Sequence, residues 1–291
     1  MGSGKGEAWR LLTKRREPCM TRWQRSVELF LRTMIARAYP RVVGMGRQPS
    51  WILQEAFLPI LSVAAFAYVY RAMQAPEAFI GFVILGGAMT AFWLNVLWSM
   101  GAQLYWERSS GNLELYIMSP ASMMAVLAGM ALGGMVLTLI RATIIMSIGI
   151  LLFQVPFAPT SWTLLVFVFL LTLLALYGLG MMFASVFLLW GREAWHIVNL
   201  LQEPVYLLSG MNFPLKVFPT ALASAAAVIP LTAGMDALRQ LLFAVEGVWP
   251  LWAEVGLLAG LSLLFLFLAQ RFLAYLERRA REEGRITVKW Q

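Results

Sequence analysis

Apolar and polar residues fall along this chain in long blocks rather than in short alternating runs. Residues 1–20 are polar and basic. Residues 21–39 then place Trp23, Val27, Leu31, Met34, Ile35 and Ala38 at helical spacing, with Arg22, Arg25, Arg32 and Arg37 among them. A basic helix with one apolar stripe lies flat at a membrane surface. Pro40, Gly44, Gly46 and Pro49 are expected to end it. Six apolar blocks follow, at about Trp51–Tyr70, Phe79–Met100, within Met123–Phe153, Ser161–Trp190, Ala194–Ser209 and Leu251–Phe272. Crossing a bilayer takes about 20 apolar residues, so each block is a candidate span. The fifth is short and carries Glu203-Pro204 inside it.

Between the fifth and sixth blocks, Gly210–Pro250 reads as two short helices, Phe218–Val228 and Leu231–Val245, broken at Pro230. Each is too short to cross, and a pair of this kind dips into the membrane and returns where it packs against protein. The pattern predicts an all-α polytopic membrane protein. It has six transmembrane helices, an N-terminal amphipathic interfacial helix, and a re-entrant pair between spans five and six. Residues 1–49 form a basic N-terminal segment, 50–275 the six-span domain and 276–291 a basic tail.

Composition narrows the class further. Of 291 residues, 60% are hydrophobic and 13% charged, and the mean hydropathy is +0.72. Soluble domains are roughly 25% charged, and disordered chains need low hydrophobicity, so neither class fits. The net charge of +8 is a matter of placement: 17 of the 23 basic residues lie between Lys5 and Arg47 or between Arg271 and Lys289. With both ends on the cytoplasmic side, 19 basic residues face the cytoplasm. Three, Arg71, Lys216 and Arg239, lie in the outer loops, which is a strong positive-inside bias. Eight of the 12 tryptophans fall near span ends, as interfacial belts require. No nucleic-acid partner is expected from this charge. No apolar run precedes about residue 50, so no cleavable signal peptide is expected.

Candidate chemistry is sparse. The single Cys19 excludes an internal disulfide, and His196, the one histidine, has no acidic or thiol cluster that would make a metal site. Gly2-Ser3-Gly4-Lys5-Gly6 echoes a phosphate loop but lacks the preceding strand, the first glycine at its spacing and the Ser/Thr after Lys. The chain is therefore expected to be no enzyme and to hold no cofactor. Two ionisable residues stand out within spans, where burial is costly. Arg141 either snorkels to the surface or faces a subunit interface or substrate path. Glu203, beside the kink that Pro204 imposes, has a structural or gating role or touches substrate, and pairing with Arg141 is one option. Glu55 reads as a charge favoured at a helix N-terminus. Gly129, Gly133 and Gly134 read as a close-packing seam.

The polar stretch Gln103–Pro120 reads as more than a connector. Leu113, Tyr116 and Ile117 at i, i+3 and i+4 make Asn112–Met118 a small amphipathic helix bounded by Gly111 and Pro120. Its pattern Glu107…Gly111-Asn112-Leu113-Glu114-Leu115…Ser119-Pro120 resembles the cytoplasmic coupling segment of ABC-2 type transporter permeases, the membrane subunits of ATP-driven exporters. Glu203–Gly210 with Phe213-Pro214 and Phe218-Pro219 is similar to that family's fifth span and following loop. Ile229-Pro230-Leu231-Thr232 with Ala237-Leu238-Arg239 resembles its outer re-entrant segment. Asn112 stands where Thr is common, and the basic extension Met1–Met20 is a further departure.

The resemblance covers roughly residues 20–275. It implies a permease in a bacterial inner membrane that pairs with a second copy or homologue. It also implies two separate ATPase subunits docked beneath, which hold the ATP and Mg. Glu107, Gly111, Leu113, Glu114, Leu115 and Pro120 would couple to the ATPases. Arg141, Glu203, Pro204, Pro230 and Arg239 would line the gate or substrate path. The implied cargo is a hydrophobic or amphipathic drug, natural product or lipid, with polysaccharide or glycolipid export as the alternative. A partner-independent secondary transporter is the rival from another class, against which the lack of an internal repeat counts.

Overall fold

The computed structural model describes residues 22–47, 49–155, 157–190 and 194–283. Cys19, the Gly2–Gly6 stretch, the Gly191-Arg192-Glu193 break and Lys289 lie outside the described residues. Among the described residues the chain is all-helical. Helices α1 (Arg22–Gly46) and α2 (Pro49–Ala72) come first. Helix α3 (Glu77–Leu94) passes through a π-helical turn, Asn95–Gly101, into α4 (Gln103–Ser109). Then come α5 (Asn112–Met118), α6 (Met123–Phe153), α7 (Trp162–Trp190) and α8 (Ala194–Leu208). A 3₁₀ turn at Leu215–Val217 leads to α9 (Thr220–Ala226), α10 (Pro230–Phe243) and α11 (Leu251–Glu283).

Five stretches are long and apolar enough to cross a membrane: Leu53–Ala72, Glu77–Ser109, Met123–Phe153, Trp162–Phe187 and Leu251–Arg278. The bent pair α9 and α10, which meet at 111°, makes a sixth by length and composition. The 15 residues of α8 rise about 22 Å at 1.5 Å each, short of the roughly 30 Å hydrocarbon core. The stretch Glu77–Ser109 is central: it is covered on nearly all sides, whereas α2 and α11 leave most of their apolar surface outward. The core forms around Phe92 of α3, Val96, Leu97 and Met100 of the π-helical turn and Leu104 of α4, packed by Leu127, Leu176, Leu238 and Leu258.

Two expectations change. The second span does not stop at Met100; helical backbone continues to Ser109, so the polar end of the segment is an extension of the span. Helix α1 does not end at Pro40 but runs on to Gly46. A proline inside a helix costs about 3 kcal/mol, and contacts on both sides of Pro40 offset it here. Before it, Met34 lies against Gly129 and Ala38 against Gly133, where added Cβ atoms would come within 2.5 Å of the Met34 carbonyl and 3.1 Å of the Ala38 carbonyl. After it, Arg41 donates to Gln103 Oε1 at 3.1 Å, to the Met130 carbonyl at 3.3 Å and to Ser99 Oγ. Residues four apart on α1 thus meet residues four apart on α6, and the two helices run side by side. Trp23, Val27, Leu31, Ile35 and Tyr39 form the outward stripe of α1.

Candidate functional site

The polar groups collect at three levels of the bundle. At the α5 end, Gly111 turns the chain between α4 and α5 with φ of 75°, a left-handed conformation that glycine adopts without a Cβ penalty. The reversal lays α5 back against α4. Leu113 is 1% exposed, and Tyr116 and Ile117 pack on the core behind it. Glu114, Leu115 and Met118 point outward together with Gly111 and Pro120.

Glu107 sits in the angle between these elements. Its Oε1 accepts from Arg37 Nη2 at 2.7 Å and Gln103 Nε2 at 3.1 Å. Its Oε2 accepts from Asn112 Nδ2 and from the Tyr116 hydroxyl, each at 3.0 Å. One largely buried carboxylate therefore joins α1, α4 and α5. The Arg37 guanidinium also lies 4.9 Å over the Tyr116 ring. Burial pushes the Tyr116 phenol up to about 12, with Arg37 pulling against it and Glu107 adding to it. The phenol thus stays a proton donor to Glu107 at any physiological pH.

In the middle of the bundle, Tyr177 of α7 donates to Asn95 Oδ1 in the π-helical turn at 3.1 Å. Arg141 of α6 donates to Thr138 Oγ1 at 3.2 Å and forms an ion pair with Glu55 of α2. Arg141 is 8% exposed, so it is a buried cation rather than a snorkelling one. Glu55 is its partner, not a free charge at a helix end. Glu203 is exposed on α8, hydrogen-bonded by its neighbour Gln202 at 3.4 Å, and does not meet Arg141. Pro204 is exposed beside it, inside the helix.

At the opposite end, Arg239 of α10 is 1% exposed and lies 4.8 Å over the Phe82 ring. It donates to the carbonyls of Phe213 at 3.2 Å, Met211 at 3.3 Å and Gly210. This loop reaches deep into the bundle, because the Met211 carbonyl packs directly on Gly86 of α3, where any side chain would displace it. Pro230 occupies the first turn of α10, where a missing N–H costs nothing. Asp236 Oδ2 accepts from the Val248 amide at 2.7 Å, and Gln240 Nε2 donates to Glu254 Oε2 at 2.8 Å and to the Trp249 carbonyl at 3.0 Å.

The residues Glu107, Gly111, Leu113, Glu114, Leu115 and Pro120 thus share one end of the molecule. Arg141, Glu203, Pro204, Pro230 and Arg239 do not form one site: Arg141 lies in the middle of the bundle, Glu203 and Pro204 on the exposed side of α8, and Pro230 and Arg239 on α10. Sequence reasoning missed Arg37, Arg41 and Tyr116 as partners of the α4 end, and Asp236 and Glu254 at the far end. The spacing of Arg37, Arg41 and Ala38 on one face of α1 was the available signal. Among the described residues no group of three or more His, Cys, Asp or Glu is placed to hold a metal ion.

Residues 31–243 match the model of the ABC-2 type transporter family. A stretch of 135 residues, 46% of this chain, is 29% identical to a protein of Escherichia coli K12 named "Probable multidrug ABC transporter permease YbhR", and equally to its counterpart in Escherichia coli O157:H7. The matched stretch spans 36% of the length of those relatives.

Proposed function

This chain belongs to the ABC-2 type transporter family, and from that premise we propose that it is the permease half of an exporter driven by separate ATPase subunits. It spans the inner membrane with both termini in the cytoplasm, in line with its basic ends. It pairs with a second permease, and two ATPases, which carry ATP and Mg, dock at the α5 end. The observation that carries this reading is the joint at Glu107. One carboxylate holds the surface helix α5, the lateral helix α1 and the end of the central span together. A push on the exposed face of α5, at Glu114, Leu115 and Met118, is then delivered to the central helix α3–α4 and through α1 to α6 as one body. A bundle with two discrete packings converts such a push into opening at its other end.

The cargo is hydrophobic or amphipathic. The relatives' printed name supports that class, as do the 17 methionines and 18 phenylalanines of the chain, since such side chains adapt to varied apolar ligands. The test is to purify the protein from its native host, identify a co-purifying ATPase, and reconstitute the pair in liposomes. ATP-dependent movement of a lipophilic dye that is lost in Glu114→Arg is expected. Absence of any ATPase partner, with unaffected movement in that variant, refutes the proposal.

A further inference from the structure

Arg41, one turn beyond Arg37 on α1, is held differently from its neighbour. Its Nη1 donates to Gln103 Oε1 at 3.1 Å and to the Met130 carbonyl at 3.3 Å, and its Nη2 donates to Ser99 Oγ of the π-helical turn. All three acceptors are neutral. The acids of the neighbouring elements are committed elsewhere, Glu107 of α4 to Arg37 and Glu55 of α2 to Arg141. Among the described residues no carboxylate forms an ion pair with Arg41. The guanidinium lies against Gly134 of α6, where a Cβ would come within 3.5 Å of Arg41 Cζ and 2.8 Å of Asn95 Oδ1. Gly134 stands 11 residues past Met123, the first residue of α6, which is about 16 Å along the helix at 1.5 Å per residue. The charge therefore sits within the apolar span and not on a connecting loop, and a cation there without a counter-charge is costly. Donors remain open around it. Three of the five guanidinium N–H groups are used, which leaves Nε and one N–H of Nη2, enough to grip two oxygens of a carboxylate or phosphate. Ser99 keeps its own hydroxyl hydrogen, and Gln103 spends one Nε2 hydrogen on Glu107 and keeps the other. Arg41, Ser99 and Gln103 are each only half-buried, so the site is open at the outer surface of the bundle.

We propose that Arg41, Ser99 and Gln103 bind the anionic head of an amphiphile that enters from the lipid side. Because the site lies within the apolar span, its anion arrives attached to an apolar tail, which stays among the lipid chains. A head with a net negative charge is preferred over a zwitterionic one, whose own cation competes with Arg41. Gln103 touches both Arg41 and Glu107, so the bound head also steadies the joint at α4 from its membrane side. The site rests on the membrane placement of the chain and not on the transport reading.

The test uses the full chain in a neutral detergent, titrated with dioctanoyl phosphatidylglycerol, dioctanoyl phosphatidylcholine or inorganic phosphate. The readouts are the thermal-unfolding midpoint and native mass spectrometry. Phosphatidylglycerol is expected to raise the midpoint and to stay bound at concentrations where the other two do neither. Arg41→Gln keeps an amide donor and removes the charge, and is expected to weaken that binding by about tenfold or more, the size of a charge-assisted hydrogen bond. Arg47→Gln removes an exposed charge from the same end of α1 and is expected to leave it unchanged. Should Arg41→Gln not fold, a phosphatidylglycerol with a photoactivatable group beside its head is expected to label the unaltered protein within 38–44 and 95–103. Equal binding of phosphatidylcholine, protection by inorganic phosphate alone, unchanged affinity in Arg41→Gln, an equal loss in Arg47→Gln, or label confined to other segments each overturns the proposal.

Discussion

Arg37 and Glu107, 70 residues apart in sequence, meet at 2.7 Å where α1 crosses the junction of α4 and α5. The side chains are 28% and 10% exposed, so the pair lies between a surface ion pair and a buried one. Exposed pairs contribute about 0–1 kcal/mol, while breaking a buried one costs about 3–5 kcal/mol. Glu107→Ala is expected to destabilise the protein by about 2–3 kcal/mol, since Arg37, Gln103, Asn112 and Tyr116 all lose their acceptor. A thermal-unfolding cycle with Arg37→Ala and the double variant should give a coupling energy of about 1–2 kcal/mol. A coupling near zero would mean that the two helices are held by apolar packing alone. Transport is expected to fall in Glu107→Ala more than stability predicts.

Gly111 offers a cleaner probe of the same joint. Nothing lies within 4 Å of where its Cβ would be, and its φ is 75°. A side chain there is penalised by the backbone alone, at about 1–2 kcal/mol. Gly111→Ala should lower the unfolding midpoint modestly, and Gly111→Asn should recover part of the loss, because Asn tolerates the left-handed region. Equal effects of the two substitutions would contradict a backbone cause.

The buried cation at Arg141 behaves differently from the acid at Glu203. Arg141→Met leaves Glu55, whose side chain is 31% exposed, without its partner and is expected to cost about 2–3 kcal/mol. Adding Glu55→Leu should restore most of that, because removing both charges of a buried pair is often neutral. Glu203 is exposed, so Glu203→Gln should shift stability by no more than about 0.5 kcal/mol. Urea or thermal titrations of the four proteins check the pattern.

Much of the fold was readable because blocks of apolar residues longer than a bilayer leave few alternatives. Met123–Phe153 and the break near Pro230 show this. Pro40 was misread because local propensity ends a helix there, whereas Arg41 is held by hydrogen bonds to α4 and α6 that no local window contains. The amphipathic helix Asn112–Met118 was legible from the spacing of Leu113, Tyr116 and Ile117. Its attachment through Arg37 was not, because the contact spans 70 residues. Glu55 was read as a helix-end charge for the same reason: its partner is a buried arginine 86 positions further along the chain.

Arg239 shows what holds the loop at the far end in place. Its guanidinium spreads over three carbonyls, those of Gly210, Met211 and Phe213, and over the Phe82 ring. A lysine carries the same charge but lacks the planar fork that reaches several acceptors at once. Arg239→Lys is therefore expected to leave at least one buried carbonyl unserved, at about 1–3 kcal/mol. The loop is trapped from the other side by Gly86, so Gly86→Ala should expel it with Arg239 intact. Both variants are expected to expose the same segment, and Lys216 within it gives trypsin a cut site. Limited proteolysis should show faster cleavage at Lys216 in Arg239→Lys and in Gly86→Ala than in the unaltered protein. If only Gly86→Ala accelerates cleavage, close packing on α3 is what seats the loop, and the arginine is serving the Phe82 ring instead.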